Sequence, residues 1–241
     1  MLKYYVGCSG WYYEHWRDTY YPRGLTRTKW LHHYSRDFPT VEINNSFYRL
    51  PSEKSFTNWK DSVPDDFVFS VKASRYVTHI KRLRDSASAV NTFVARAHFL
   101  GNKLGPLLYQ LPPNMRRDDR ILEDFLAALP HGYYHVLEFR HRSWFDDAVF
   151  HLLRRYNVGV CVFDMPGFIS PLVATSNLAY IRFHGSARLY SSYYSEEELS
   201  QWATDIILLG KQVEVVYIYF NNDAEAFAVR NALTLRRLLG Q

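Results

Sequence analysis

Acidic and basic residues spaced two positions apart are the first candidates for chemistry in this sequence. Glu138, Arg140 and Arg142 occupy alternate positions, so in an extended segment their side chains share one side. A carboxylate there can act as a general acid or base while guanidinium groups hold an anionic substrate. We therefore predict Glu138 as the acid–base residue and Arg140 as an anion ligand. The alternative is a structural ion pair.

A second pair with this spacing is Arg182 and His184, followed by Gly185, which permits a close turn. We predict that Arg182 grips an anion and that His184 assists proton transfer. In the alternative, Arg182 pairs with Glu138 or Asp164, and His184 is a satisfied core histidine. Neighbouring loops supply further polar groups for an anion: Arg188, Tyr190, Asn221 and Asn222.

Other candidates also follow predicted strands. Glu42 is a carboxylate at a strand end and is predicted as a further catalytic group, with a structural role equally open. Lys72 closes a strand, and we expect its ammonium group to bind an anion rather than to form a Schiff base. The remaining predicted substrate-binding residues are amides that orient the substrate and aromatic rings that either hold a flat group or pack in the core: Asn44, Gln110, Asn221, Trp11, Tyr48, Trp144 and Tyr190.

The segment Lys72–Arg84, which we call the basic lip, concentrates lysine and arginine around Tyr76. Such a segment is either a solvated loop or a surface that follows a phosphate backbone while the tyrosine stacks on a base or sugar. The whole chain carries a formal net charge of +5. This charge favours an anionic partner, either a small molecule or a nucleic acid.

Metal and thiol chemistry are less favoured by the spacing. Six residues are potential zinc or manganese ligands: His79, His141, His184, Glu42, Glu138 and Asp164. Their order matches no metal motif, so a divalent metal is not favoured and any cofactor is unknown. Cys8 and Cys161 lie in predicted apolar strands, where we expect reduced, structural thiols.

The elements that must position these residues alternate between short β-branched or aromatic runs and longer runs of helical period. The predicted strands are Tyr4–Cys8, Thr40–Ile43, Val68–Lys72, Pro106–Gln110, His135–Phe139, Val158–Phe163, Ala179–Phe183 and Glu214–Phe220. The predicted helices are Thr28–Asp37, Glu53–Ser62, Ala87–Asn102, Arg120–Ala128, Phe145–Tyr156, Glu196–Leu209 and Ala224–Leu239. Ser195 with Glu198, and Ser143 with Asp146, have the pattern of capping boxes.

Eight strand–helix units in 241 residues predict a single-domain (β/α)8 barrel that spans residues 1–241 and lacks a regular helix after the sixth strand. An open doubly wound sheet is the alternative. No glycine-rich dinucleotide or phosphate-loop motif follows a strand, which argues against that alternative. In a barrel of this kind, active sites lie at the carboxyl ends of the strands, where the polar residues named above occur.

Seven ordered motifs resemble the YecE-like family, also called domain of unknown function family 72, over nearly the whole chain. They are Gly7-Cys8-Ser9-Gly10-Trp11, Glu42-x-Asn44-x-Ser46-Phe47-Tyr48, Lys72 with Thr78-His79, Gln110-Leu111-Pro112-Pro113, Glu138-Phe139-Arg140-His141-x-Ser143-Trp144, Arg182-Phe183-His184-Gly185 and Phe220-Asn221-Asn222. The resemblance implies an α/β barrel. It carries no known catalytic mechanism.

Three functions follow as hypotheses. The first is an enzyme that acts at the carboxyl-terminal face of the barrel on a phosphate- or carboxylate-bearing substrate, with hydrolysis preferred over isomerisation. The others are a nucleic-acid-binding module without catalysis and a small-molecule sensor. The sequence has no apolar run of membrane-spanning length and no signal-peptide pattern, so we expect a cytoplasmic protein without a membrane partner. No feature identifies a protein partner.

Overall fold

The computed structural model describes residues 2–241. Its strands are β1 Lys3–Cys8, β2 Thr40–Ile43, β3 Val68–Lys72, β4 Leu104–Gln110, β5 His135–Glu138, β6 Gly159–Met165, β7 Phe168–Ile169, β8 Leu178–Phe183 and β9 Val215–Phe220. Its α-helices are α1 Trp30–Asp37, α2 Glu53–Asp61, α3 Ala87–Ala97, α4 Asp119–Ala127, α5 Asp147–Arg155, α6 Glu196–Gly210 and α7 Phe227–Leu238.

The strands form one sheet in the order β5-β4-β3-β2-β1-β9-β8-β6-β7. An additional pairing of β5 with β6 closes the parallel part of this sheet. The short strand β7 pairs antiparallel with β6 and lies outside the closed part. The predicted (β/α)8 barrel fold is therefore confirmed.

The described residues divide into two compact units, which we describe separately. The first contains the residues up to Glu42 together with Val162–Gln241, and the second contains Ile43–Cys161. In the first unit, β9 pairs with both β1 and β8, and α6 packs against α7. In the second unit, β3, β4 and β5 pair in succession. Buried aliphatic and aromatic side chains along these strands form the core of each unit.

Local signals explain most helix starts. The side chains of Ser195 and Glu198 form the predicted capping box at α6. The Asp118 carboxylate accepts a hydrogen bond from the Ile121 backbone N–H at 3.1 Å and so caps α4. The predicted box of Ser143 with Asp146 is wrong. Asp146 itself is the N-cap of α5, because Ser143 lies in a separate 3₁₀ turn, Arg142–Trp144.

Two predicted helices differ from the structure by more than two residues at one end, where the backbone leaves helical geometry. The predicted helix Ala87–Asn102 ends at Ala97 and continues as a 3₁₀ segment in which Gly101 has φ 59° and ψ −131°. The predicted helix Ala224–Leu239 begins at Phe227, since Glu225 and Ala226 have left-handed φ values of 51° and 57°.

Two other features, the connection after β6 and the state of the cysteines, agree with the expectations from the sequence. The connection after β6 contains β7 and no helix between residues 166 and 177 of the described chain. Cys8 and Cys161 are buried, reduced thiols. None of the helices within residues 2–241 combines the length and the apolar character needed to cross a bilayer.

Candidate functional site

In the first unit, the strand ends hold a buried ion pair between Glu42 on β2 and Arg182 on β8. Both side chains are 0% exposed, and Arg182 Nη2 lies 2.7 Å from Glu42 Oε1. The hydroxyl of Tyr180 donates to Glu42 Oε2 at 2.5 Å. Buried charges require such partners, because leaving either one alone in the interior is costly. Both carboxylate oxygens of Glu42 are thus engaged within this network.

His184 is buried directly beyond Arg182. Its Nε2 lies 3.5 Å from Arg182 Nη1, and its Nδ1 lies 3.1 Å from the side-chain amide of Asn221. Because a guanidinium group can only donate, a hydrogen bond between them makes Nε2 the acceptor and places the proton on Nδ1. The Nδ1–H group then donates a hydrogen bond to Asn221 when the amide oxygen of Asn221, rather than its Nδ2, faces the ring. This arrangement connects Glu42 to Asn221 through Arg182 and His184.

The loop after β8 folds back over this histidine. Gly185 has φ +100°, and a Cβ there would lie 2.4 Å from the Arg188 carbonyl oxygen, so the turn requires glycine. The Tyr190 N–H donates to the His184 carbonyl at 2.6 Å, and the two rings meet edge to face with centroids 5.7 Å apart. Tyr190 remains partly exposed. The structure therefore brings Arg182, His184, Tyr190 and Asn221 together.

In the second unit, the ends of β4 and β5 hold the other predicted acid. Glu138 is buried and forms an ion pair with Arg140, as the spacing of two residues predicts. Gln110 is the register partner of Glu138, and its Nε2 lies 3.4 Å from Glu138 Oε1. The prediction that Arg142 shares a side with Glu138 and Arg140 is wrong. The strand β5 ends at Glu138, and the exposed Arg142 lies in the 3₁₀ turn Arg142–Trp144.

The end of the neighbouring strand β3 is positively charged. Lys72 Nζ lies 4.3 Å from the centroid of the Phe47 ring, and His79 packs against the same ring at 5.0 Å. Burial lowers the pKa of His79, and the charges of Lys72, Arg75 and Arg82 lower it further. The contribution of these three cations, rather than that of burial, reflects a concentration of positive charge around His79.

The basic lip begins at Lys72 and contains a π-helical turn, Tyr76–Ile80. The Tyr76 side chain is 47% exposed, and Lys81 Nζ lies 5.8 Å from the centroid of its ring. Arg82 does not extend freely from this loop, since its Nη2 donates to the Asn114 carbonyl at 3.0 Å. Part of the lip is therefore a packed turn rather than a solvated loop.

The predicted aromatic site residues have very different environments. Tyr48 is 76% exposed, whereas Trp11 and Trp144 are buried. Trp144 stacks on Phe139 at 4.8 Å and donates from Nε1 to the Met115 carbonyl at 2.7 Å. Trp144 therefore has the environment of a packing residue. Tyr48 and the half-buried Asn44, in contrast, are accessible to solvent.

Several residues of these clusters were missed in the sequence. Tyr180 lies in the middle of an apolar strand, where nothing marks it as the partner of Glu42. Asp164 was noted only as an alternative partner of Arg182 and a potential metal ligand. It is 5% exposed and accepts from Trp202 Nε1 at 3.3 Å. Its position at the end of β6 was the available signal. Within residues 2–241, no three His, Cys, Asp or Glu side chains converge as a metal site.

Comparisons with known proteins point to one group. A family model described as protein of unknown function DUF72 matches residues 5–241. The UPF0759 protein YunF of Bacillus subtilis is 27% identical over 274 aligned positions, which cover 98% of this chain and 94% of the relative. The UPF0759 protein YecE of Escherichia coli is 30% identical over 142 positions, 58% of this chain and 50% of the relative.

Solved structures agree with these sequence matches. The crystal structure of a DUF72 family protein from Thermotoga maritima is similar with a TM-score of 0.90 and 31% identity, and covers 99% of this chain and 100% of that chain. A DUF72 family protein from Enterococcus faecalis has a TM-score of 0.86 at 18% identity, covering 99% of this chain and 96% of that chain. At that identity, the second structure supports the fold alone.

Proposed function

We propose that this chain, which belongs to the DUF72 family of proteins of unknown function, has a catalytic site at the carboxyl ends of its strands. It is an enzyme that acts on an anionic substrate bearing phosphate or carboxylate. The observation that carries this proposal is the buried Glu138, held by Arg140 and Gln110 at the ends of β5 and β4. A carboxylate that is desolvated and oriented by fixed partners is suited to proton transfer.

Basic groups at the carboxyl ends of strands in the same unit support an anionic substrate. Arg140 presents a planar guanidinium group, and Lys72 presents an ammonium group at the end of β3. Burial and the nearby charges of Lys72, Arg75 and Arg82 lower the pKa of His79, and these three charges favour an anion at the β3 end. In this proposal Lys72 and Arg140 hold the anion, Gln110 orients it, and Glu138 transfers the proton. Hydrolysis remains the preferred reaction class.

The first unit, taken by itself, holds a second cluster of buried polar groups at its strand ends. Glu42 and Arg182 are both 0% exposed and form an ion pair, whereas the Arg140 side chain in the Glu138 pair is 7% exposed. Glu42 and Arg182 are therefore assigned to positioning His184 and Asn221. Asn221 and Tyr190, which are less buried, are the groups of this cluster that can reach a ligand directly. Within this cluster, Arg182 and His184 are positioning residues.

The proposal is tested with inorganic phosphate and with a panel of phosphate and carboxylate esters. Lys72→Met is expected to weaken phosphate binding, measured by calorimetry, by about tenfold or more, because one charged partner is lost. Glu138→Gln is expected to lower turnover of any ester the wild-type chain hydrolyses by roughly 10²-fold or more. Lys54→Met is the matched control, since Lys54 is an exposed lysine on α2 in the same unit. Equal phosphate affinity of the two lysine variants, or full turnover by Glu138→Gln, contradicts the proposal.

A second function, nucleic-acid binding without catalysis, is favoured by one observation. Tyr76 and Tyr48 expose aromatic rings in a unit that also presents the basic lip. Exposed rings stack on bases, and lysine and arginine neutralise phosphates.

Binding of this kind is measured by fluorescence anisotropy with single-stranded DNA and RNA oligonucleotides. We expect an affinity that falls steeply with salt, and a loss of about fivefold or more in Tyr76→Ala, since stacking on one base is removed. Tyr12→Ala, which removes an exposed tyrosine from the other unit, is expected to bind like the wild type. Absence of binding at low salt eliminates this alternative.

A further inference from the structure

A groove in the first unit lies between the β6–β7 hairpin and the first turns of α6. Its volume is about 660 Å³. Cavities that take small molecules are typically about 300–1,000 Å³, so the groove has the size of a ligand site. It lies outside the Glu138 cluster and is not used by the function proposed above.

The charged side chains of this groove are acidic. Asp164 and Glu198 line it, and none of its lining residues, all within the described part of the chain, is Lys, Arg or His. Asp164 is almost completely buried, and Trp202 Nε1 donates to its Oδ2. Glu198 caps α6 by accepting from the Ser195 N–H at 2.7 Å. In a chain of net charge +5, these two carboxylates give the groove the opposite sign.

Burial and the neighbouring acid both act on Asp164. Desolvation raises the pKa of its carboxyl group, and the charge of Glu198 raises it further, against the hydrogen bonds from Trp202 and Tyr194. A cation placed next to these carboxylates offsets their mutual repulsion and stabilises the ionised form of Asp164. The groove is therefore electrostatically complementary to a positive group.

Apart from Ser186 and Gln201, the other side chains that line the groove are apolar. Met165, Phe168 and Ile169 come from the hairpin, and Trp202 comes from α6. Ile169 is 61% exposed although it is a large aliphatic residue, so the hairpin presents hydrocarbon to solvent along the groove. The face of an indole also attracts an ammonium group. An apolar stem that ends in a positive charge matches these walls.

We propose that this groove binds a small organic amine, whose ammonium group pairs with Asp164 and Glu198 while its hydrocarbon stem lies against Trp202, Phe168 and Ile169. The ligand class follows from charge complementarity, the apolar side chains and the volume of the open groove. It is distinct from the anionic substrate of the proposed enzyme, so either site can exist without the other.

The test uses hexylamine, which is protonated at neutral pH, with hexan-1-ol and hexanoate as uncharged and anionic probes of the same length. Binding is followed in ¹H–¹⁵N spectra through the indole Nε1 signal of Trp202, which Trp202→Phe identifies. We expect hexylamine to shift this signal and to bind about tenfold or more tightly than either other probe. Equal binding of the three probes overturns the proposal.

Two variants test whether the ammonium group of hexylamine binds beside Asp164. Asp164→Asn keeps the shape and an acceptor for Trp202 but removes the charge, and is expected to weaken hexylamine binding by about tenfold or more. Glu197→Gln is the matched control, because Glu197 is an exposed neighbour that does not line the groove. Ile169→Lys changes an exposed position without burying a new group and places a competing ammonium beside the carboxylates, so it is also expected to weaken binding. Wild-type affinity in Ile169→Lys and Asp164→Asn contradicts the proposal, whatever the phosphate titration shows.

Discussion

Replacing Arg182 by methionine is expected to lower the free energy of unfolding by about 3–5 kcal/mol, because the Glu42 carboxylate is then left buried without its cation. Methionine fills much of the space of the arginine stem, so the loss reports the charge rather than a cavity. The free energy is measured by urea denaturation at neutral pH, followed by tryptophan fluorescence and circular dichroism.

Two further variants separate the buried charge from general damage to the fold. Glu42→Gln combined with Arg182→Met removes both charges and is expected to be more stable than Arg182→Met alone. Arg237→Met removes an arginine from an ion pair with Glu196, in which both side chains are more than half exposed, and is expected to leave stability unchanged. A loss in Arg182→Met no larger than that in Arg237→Met would show that the buried pair is not needed.

Replacing Trp144 by alanine is expected to destabilise the second unit by about 3–5 kcal/mol. The indole is completely buried, stacks on Phe139 and donates to the Met115 carbonyl. Truncation leaves a cavity beside the segment that follows Glu138 and removes the hydrogen bond to the segment that follows β4. We therefore expect faster proteolysis around Met115 as well as a lower denaturation midpoint.

The contribution of the hydrogen bond is isolated by Trp144→Phe. This variant keeps a ring on Phe139 and loses the N–H donor, so it is expected to be less destabilising than Trp144→Ala. Tyr48→Ala, which removes an exposed aromatic ring from the same unit, is the control and is expected to retain wild-type stability. If Trp144→Ala is as stable as Tyr48→Ala, the stacking and hydrogen bond do not hold the segment.

Strand positions were predictable because β-branched and aromatic runs have few alternative conformations. The strands Thr40–Ile43 and Val68–Lys72 have the predicted bounds, and the other predicted strands differ by one or two residues. The helix ends were less predictable. Gly101 and the left-handed Glu225 and Ala226 interrupt segments whose side chains keep a helical period. Ser143 does not cap α5, because it lies within the 3₁₀ turn that precedes the helix, and Asp146 is the N-cap.

The contacts of the candidate site also include some that the sequence predicts and some that it does not. The contact of Glu138 with Arg140 follows from their spacing along an extended segment, and local chemistry sufficed to predict it. The partner of Arg182, in contrast, does not follow from the sequence. Glu42 is 140 residues away in sequence, and the strand-end pattern suggests Glu138 or Asp164 as partners instead. The environment of Trp144 was also undecided, since an aromatic ring after a strand can line a site or pack beneath it.

The sequence by itself determined the barrel fold and the presence of polar side chains at its strand ends. Both depend on patterns repeated within short segments, and the barrel class is the simplest closure of such alternating units. Only the tertiary structure decided which charges pair, which rings are buried, and that Asp164 meets Trp202 and Glu198 in one groove. These contacts join residues that are distant in sequence, and they depend on strand register and loop paths, where a shift of one residue reverses the direction of a side chain.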